Sequence, residues 1–331
     1  MTQPSTSPRA FRAWGRPRAQ RGAALLMAMI IVTLVVTLAS AMVWQQWRAV
    51  QVEAAERART QSAWILTGAL DWARLILRED ARTGGADHLG EPWAVPLAEA
   101  RLSTFLAADK DNTDDAPDAF LSGRISDEHA RYNLTNLIGE GKVIPEELAA
   151  LERLCQAVGV AATVATRIAS GLRDASAPAS SAGQDGPGNA AALLPRDVSQ
   201  LAWFGVGADT LRQLEPYVTL LPARTLVNAN TAGREVLVAA LKGLDLASAE
   251  RLLQVRQRSH FKTPADVLAQ IPSFDAGANL PIGVTSNFFE IRGRLRLGDR
   301  VLEQRSLVER RGLEIVLLQR EQVASRESVG P

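Results

Sequence analysis

Cysteine is almost missing from this chain: Cys155 is the only one in 331 residues, which rules out an intramolecular disulfide whatever the redox compartment. In LERLCQAVG it falls on the apolar stripe of an expected helix, where a free thiol acts as a small hydrophobe. The three histidines, His88, His129 and His260, lie far apart, so a zinc site or a Cys/His nucleophile has no support. An excess of charge of one sign is lacking too. Against 37 Lys+Arg stand 36 Asp+Glu, and such a balance gives no bulk attraction to nucleic acid or to an acidic surface. No nucleophile motif and no acid–base pair can be assembled, which leaves a hydrolase without chemistry and points to a non-enzymatic protein. No repeat recurs at a period of 20–50 residues.

One local absence is the most informative. The first 22 residues contain no acid but five arginines (Arg9, Arg12, Arg16, Arg18, Arg21), and they end in Gly22. From Ala23 to Val43 the chain is then apolar without interruption, 21 residues, about what a helix needs to cross a bilayer. By the positive-inside tendency the arginines hold the N-terminal end in the cytoplasm and send the rest across. Ala39-Ser40-Ala41 offers a conventional cleavage site, but the apolar core is longer than a secretory signal requires, and amphipathic helix comes after it. An uncleaved anchor is the other alternative. Trp44 and Trp47 fall where the span leaves the membrane, a depth that indole rings favour.

Beyond the span the chain lacks proline until Pro92, so Ala23 to about Asp80 reads as one long helix, stopped at Thr83-Gly84-Gly85. Trp47, Val50, Ala54 and Ala58 recur at spacings of three and four, one helical stripe and a candidate partner-facing surface. Pro96 to Ala108 suggests a short helix, Ile125 a strand, and Arg131 to Leu134 an extended stretch with Asn136 placed to cap the next element. Pro145 to Gly171 reads as two helices stopped at Gly159 and Gly171. Residues 174–190 have linker composition. SNFFEIRGRLRLGDR alternates, with Phe289, Ile291, Leu295 and Leu297 on one face and Arg292, Arg294 and Arg296 on the other, and two more strand candidates flank Gly312. Antiparallel hairpins behind a long helix, with helices before them, make an α+β fold.

Two strings invite specific chemistry. DKDNTDDAPD offers Asp109, Asp111, Asp114 and Asp115 as calcium ligands, but Asp114 and Phe120 stand where an EF-hand loop has its glycine and its glutamate. A solvated loop is the plainer reading, and no cofactor is required. The second string is Val227-Asn228-Ala229-Asn230-Thr231-Ala232, in which Thr231 is placed to cap a helix starting at Ala232. Beyond it, Lys242-Gly243-Leu244-Asp245 joins two helices, and Thr263-Pro264 opens a third. The segment resembles a helix-hairpin-helix or SAM-like unit. A DNA-binding hairpin presents backbone N–H groups to phosphate through two turn glycines. Here Asp245 stands where the second would fall, so a packing role outweighs DNA binding and no nucleic acid is expected.

The leader closing on Gly22, the DEHARYNLTNLI segment with Asn133 and Asn136, the VNANTA string and the terminal strands together resemble the type II secretion minor pseudopilins of the general secretion pathway protein K family, from Arg21 to about Gln319. The resemblance implies cleavage by a prepilin peptidase between Gly22 and Ala23 with the hydrophobic helix retained. It implies a pilin-like body, a long helix on an antiparallel sheet, enlarged by an inserted helical domain. The resulting division is a leader at 1–22, a transmembrane segment at 23–43, the periplasmic half of the long helix at 44–82 and the start of the body at 83–138. The inserted domain then takes 139–224, the hairpin segment 225–272, the terminal strands 273–320 and a tail 321–331. The family sits at the tip of a periplasmic pseudopilus with two other minor pseudopilins, assembled by an inner-membrane platform, to export folded proteins across the outer membrane. Most pseudopilins carry Glu at the fifth mature position, where it pairs with the amine of the next subunit. Here that position is Met27, as suits a subunit with nothing above it. The competing reading is a membrane-tethered DNA receptor of the competence type, resting on the hairpin.

Overall fold

A computed structural model describes residues 21–102, 119–176, 193–271, 280–298 and 300–323. Its first element is α1 (Arg21–Thr83), one uninterrupted helix of 63 residues, about 95 Å at 1.5 Å per residue. The chain divides into two compact units, one up to Gln61 and one from Ser62 onward.

In the first unit every side chain from Ala23 to Val43 is exposed, and the helix is long and apolar enough to span a membrane. A helix satisfies its backbone internally, the condition for lying in lipid. Of the three hydroxyl side chains between Ala23 and Val43, Thr33, Thr37 and Ser40, both threonines bond back to the helix. Thr33 Oγ1 donates to the Met29 carbonyl at 2.9 Å and Thr37 Oγ1 to that of Leu34 at 2.9 Å. Trp44 and Trp47 stack obliquely, ring centres 5.6 Å apart.

In the second unit α1 buries Ser62, Leu66, Leu70, Ala73 and Leu77, a stripe at spacings of three and four. The helix stops where Gly84 and Gly85 take φ of +67° and +121°, conformations open to glycine. Under the stripe lies an antiparallel meander of β1 (Leu97–Arg101), β2 (Ala119–Asp127), β3 (Phe288–Leu297), β4 (Arg300–Arg311) and β5 (Glu314–Val323), paired in that order. Leu70, Ala73 and Leu77 close over Trp93, Phe289, Ile291, Val308 and Ile315, with Trp93 edge-on to Phe289 at 5.3 Å. Leu66 closes over Ala119, Leu121 and Leu295. Gly123 faces Gly293 across β2 and β3 beneath the helix. A Cβ at Gly293 would come within 3.2 Å of Leu66, and one at Gly123 within 2.8 Å of the Arg292 carbonyl, so the close approach there needs glycine.

β2 and β3 are adjacent, yet residues 128–287 intervene. This insertion carries α2 (Pro145–Ala157), α3 (Thr163–Ser176), α4 (Ala208–Leu214), α5 (Arg234–Ala240), α6 (Leu246–Arg258) and α7 (Pro264–Leu268). One buried cluster joins them, from Tyr132 and Leu134 through Leu151, Leu154 and Cys155 to Leu237, Leu252 and Val284. It draws on the ranges 139–224 and 225–272 alike.

Four local expectations are corrected. Leu97–Arg101 is a strand rather than a helix: despite the helix-forming LAEAR composition it pairs with β2, Leu97 opposite Gly123 and Arg101 opposite Phe120. Gly171 does not end α3. It lies inside the helix because the Phe204 ring packs against it, and an added Cβ would be 2.3 Å from that ring. Thr231 does not cap a helix; α5 begins later, with Gly233 at its N-cap. Asn136 is no cap either, since Asn133 fills that place for the short turn Leu134–Leu137.

Candidate functional site

Why the asparagine strings are present becomes visible in their hydrogen bonds. Asn133 donates to the Ala223 carbonyl (2.7 Å) and accepts from the Thr135 and Leu221 N–H groups (3.1 and 3.2 Å). Asn136 pairs both ends of its amide with the backbone of Thr225, donating at 2.8 Å and accepting at 3.0 Å. Asn230 does the same with Phe261, at 2.9 and 2.8 Å, and so fixes the chain between α6 and α7. All three are buried. A primary amide can replace a backbone partner in both directions, which Asp or Ala cannot.

Asn228 is the centre of a larger junction. Its Nδ2 lies 3.0 Å from Asp127 Oδ2, 2.9 Å from Ser286 Oγ and 3.1 Å from the Asp87 carbonyl. Thr231 Oγ1 and Ser286 Oγ donate to the same Asp127 oxygen, at 2.5 and 2.7 Å, and the His129 N–H donates to Asp127 Oδ1 at 2.8 Å. Asp87 accepts the Ser286 N–H at 2.6 Å and two contacts of 2.6 Å from Arg310 Nη2. Arg310 also donates from Nη1 to Asp80 Oδ2 at 2.7 Å and lies over the Phe289 ring at 5.0 Å. The end of α1, the end of β2, the VNANTA string and β4 thus meet at one point. Asn228, Asn230, Thr231 and Ala232 are each less than a tenth exposed. Asp127, Asp87 and Arg310 were missed in the sequence. Apart from the His129 N–H, two residues from Asp127, their partners lie between 24 and 230 residues away, so no local period marks them.

Burial governs the charges here. It raises the Asp80 pKa to about 6, with the neighbouring Glu91 carboxylate adding to the rise and Arg310 opposing it. Asp87 is raised by burial against the pull of Arg310. His129 accepts the Asn287 N–H at Nε2 (3.2 Å), which puts its proton on Nδ1, and burial lowers its pKa. Asp80 with its raised pKa therefore contributes stability fully present below about pH 4 and lost as pH rises through about 6. His129 acts in the opposite sense, losing its contribution as pH falls, so the clean readout is a difference. The stability of the wild type minus that of Asp80→Asn should shrink by on the order of 1 kcal/mol between pH 4 and 7. Thermal unfolding of the full chain in detergent at a series of pH values measures this; a difference that grows with pH contradicts it.

Asp80, Asp87 and Glu91 form, among the described residues, the one group of carboxylates close enough to share a cation, all within 4.8 Å. The Arg310 guanidinium bonds two of them, Asp80 and Asp87, while Glu91 accepts the His88 N–H and the Trp93 Nε1–H, both at 2.8 Å. Asp109, Asp111, Asp114 and Asp115 lie outside the described residues.

Two charged side chains of the hairpin are held by bonds within it. Arg256 donates to the Ala229 and Ala232 carbonyls (2.8 and 2.6 Å), and burial lowers its pKa to about 10. Gly243 takes a φ of +89° in the turn. Asp245 fills the α6 N-terminus by accepting the Ser248 N–H at 2.6 Å, and that bond holds its carboxyl below the usual range. A phosphate would have to displace this carboxylate. Thr263 caps α7 as expected, with Asp266 completing a capping box.

The stem and the body half of α1 present the remaining candidates. Gly22 and Ala23 lie in the first turn of α1, and Met27 is 64% exposed on the apolar run. Trp47, Val50 and Ala54 are exposed and Ala58 is half-buried. In the second unit Trp64, Trp72 and Leu75 are at least half exposed. A groove of about 340 Å³ opens between Trp72, Ala73 and Ile76 of α1 and Val95, Ile125 and Ile291 on the body side.

A long N-terminal helix laid on an antiparallel meander, with a helical insertion tied back by buried amides, defines a pilin-like subunit. Residues 130–223 and 227–284 match the two family models described as type II secretion system protein K. Type II secretion system protein K of Klebsiella pneumoniae is 30% identical over 326 residues, covering 91% of this chain and 96% of that one. The Pseudomonas aeruginosa protein of the same name is 28% identical over 303 residues, 86% of each. The chain therefore belongs to the type II secretion system protein K family of minor pseudopilins. A solved GspK-GspI-GspJ complex from enterotoxigenic Escherichia coli shares the fold, with a TM-score of 0.64 and 21% identity over 82% of this chain and 99% of that one.

Proposed function

We propose that this protein is a non-enzymatic subunit at the tip of the type II secretion pseudopilus. It assembles there with two other minor pseudopilins, and the assembly drives folded proteins through the outer membrane. The observation that carries the reading is α1 itself. One unbroken helix begins in a fully exposed apolar run and ends packed on a sheet, in a member of the protein K family. An apolar run of that length is stable in lipid, and the arginines before it favour an N-terminus in the cytoplasm, with the bulk of the chain in the periplasm. A prepilin peptidase cuts between Gly22 and Ala23, and an inner-membrane platform takes up the processed subunit. Met27 leaves no carboxylate in the bilayer in search of a neighbour's amine, which fits the terminal position. The Trp47, Val50, Ala54 and Ala58 stripe faces a partner helix. The solved relative stands in a complex with GspI and GspJ, which supports the corresponding subunits as partners here. No cofactor enters, and neither calcium nor nucleic acid is needed.

The test is co-purification. Tagged full-length protein, co-expressed with proteins I and J of its own secretion system, should retain both through detergent extraction. Recovery of the tagged chain alone would remove the assembly reading. Salt-sensitive binding of duplex DNA by the same preparation would favour the DNA receptor instead.

A further inference from the structure

The face of the sheet turned away from α1 carries an unusual charge arrangement between β1, β2 and β3. Register puts Arg101 opposite Phe120 and Phe120 opposite Arg296, Ser122 opposite Arg294, and Arg124 opposite Arg292. Arg292 in turn stands opposite Arg305 on β4, so three arginines line up across three strands. Like charges directly opposite one another destabilise a sheet unless something neutralises them. Glu290 does so for two of the three, meeting Arg292 at 2.5 Å and Arg305 at 3.0 Å. Arg124 is exposed and, among the described residues, has neither an ion pair nor a hydrogen bond. Towards β1, Arg296 pairs with Glu99 at 2.7 Å and lies over the Phe120 ring at 4.0 Å, with Arg101 over the same ring at 5.6 Å. Glu303 stands opposite Arg294. Among the described residues the result is a basic corner, Arg101, Arg124, Arg294 and Arg296 against Glu99 and Glu303, built around a half-buried aromatic ring. Arginine and aromatic side chains at low entropy cost are what protein interfaces enrich.

We infer that this corner of the sheet docks an acidic protein surface on a neighbouring minor pseudopilin, with Arg124 as the cation left for the partner. The partner's identity rests on the assembly reading above, while its charge is set by the arginines themselves. Arg124→Glu changes a side chain that is exposed and, among the described residues, unpaired, and it should leave the melting temperature of the full chain unaltered. In the co-purification with proteins I and J it should lower recovery of at least one of them about tenfold, a coupling of roughly 1.4 kcal/mol. Residual binding should weaken with salt less steeply than that of the wild type. Arg173→Glu, an exposed arginine on α3, serves as the control and should change recovery less than twofold.

Wild-type recovery of both partners together with full recovery by Arg124→Glu would overturn the docking face and leave the assembly reading standing. Equal losses for Arg124→Glu and Arg173→Glu would overturn it as well, because bulk charge would then be responsible. If the wild type recovers neither partner, the assembly reading has failed and this face loses its partner with it.

Discussion

Replacing Arg310 by Met should cost about 3–5 kcal/mol of unfolding free energy. The side chain is 12% exposed and bonds Asp80 and Asp87, which are 9% and 3% exposed. Two carboxylates would be left with no cation, and the Ser286 carbonyl would lose its 2.6 Å donor. Part of the loss would be relieved by protonation, since the Asp80 pKa already stands near 6. The variant should therefore be least stable at high pH. Arg310→Lys should rescue little, because Nη2 serves Asp87 and Nη1 serves Asp80, and one ammonium cannot stand in for both nitrogens at once. Urea unfolding of the full chain in detergent measures both variants. A loss below about 1 kcal/mol for Arg310→Met would mean the junction is not held by this guanidinium.

Replacing Gly22 by Ala should leave the precursor uncut. The product would then migrate heavier by the 22-residue leader and secretion through the system should fail. A peptidase that cuts after Gly at the cytoplasmic face reads the small residue and the basic leader before it, and leaves the apolar run in place. The expected effect is close to all-or-none. It needs no change in the folded body, whose described contacts do not involve the leader. Normal-sized mature protein from Gly22→Ala would assign the cut, if any, to another position.

How far the residues alone reveal the molecule depends on the range of the interactions. The long helix was legible because nothing between Ala23 and Thr83 interrupts it and its stop is written in two adjacent glycines with positive φ. The alternation of Phe289, Ile291, Leu295 and Leu297 announced β3, and Thr263-Pro264 announced α7, because both signals are local. β1 was missed because LAEAR is helical by propensity and becomes a strand only through β2. Gly171 looked like a stop, and only the Phe204 ring, 33 residues on, explains it. The asparagines were legible as local turn formers, and Asn228 and Asn133 do accept N–H groups two residues on; their distant partners were not, since those of Asn228 Nδ2 lie 58, 101 and 141 residues away. The buried amides that give the family its motif act over distances that no periodicity records.

The account as a whole depends on the apolar stem remaining part of the working protein. Edman sequencing of the mature protein recovered from inner membranes reads this directly. The first residue should be Ala23. A sequence starting beyond Val43 would make the stem a discarded export signal, and a tip subunit anchored by α1 would no longer be tenable.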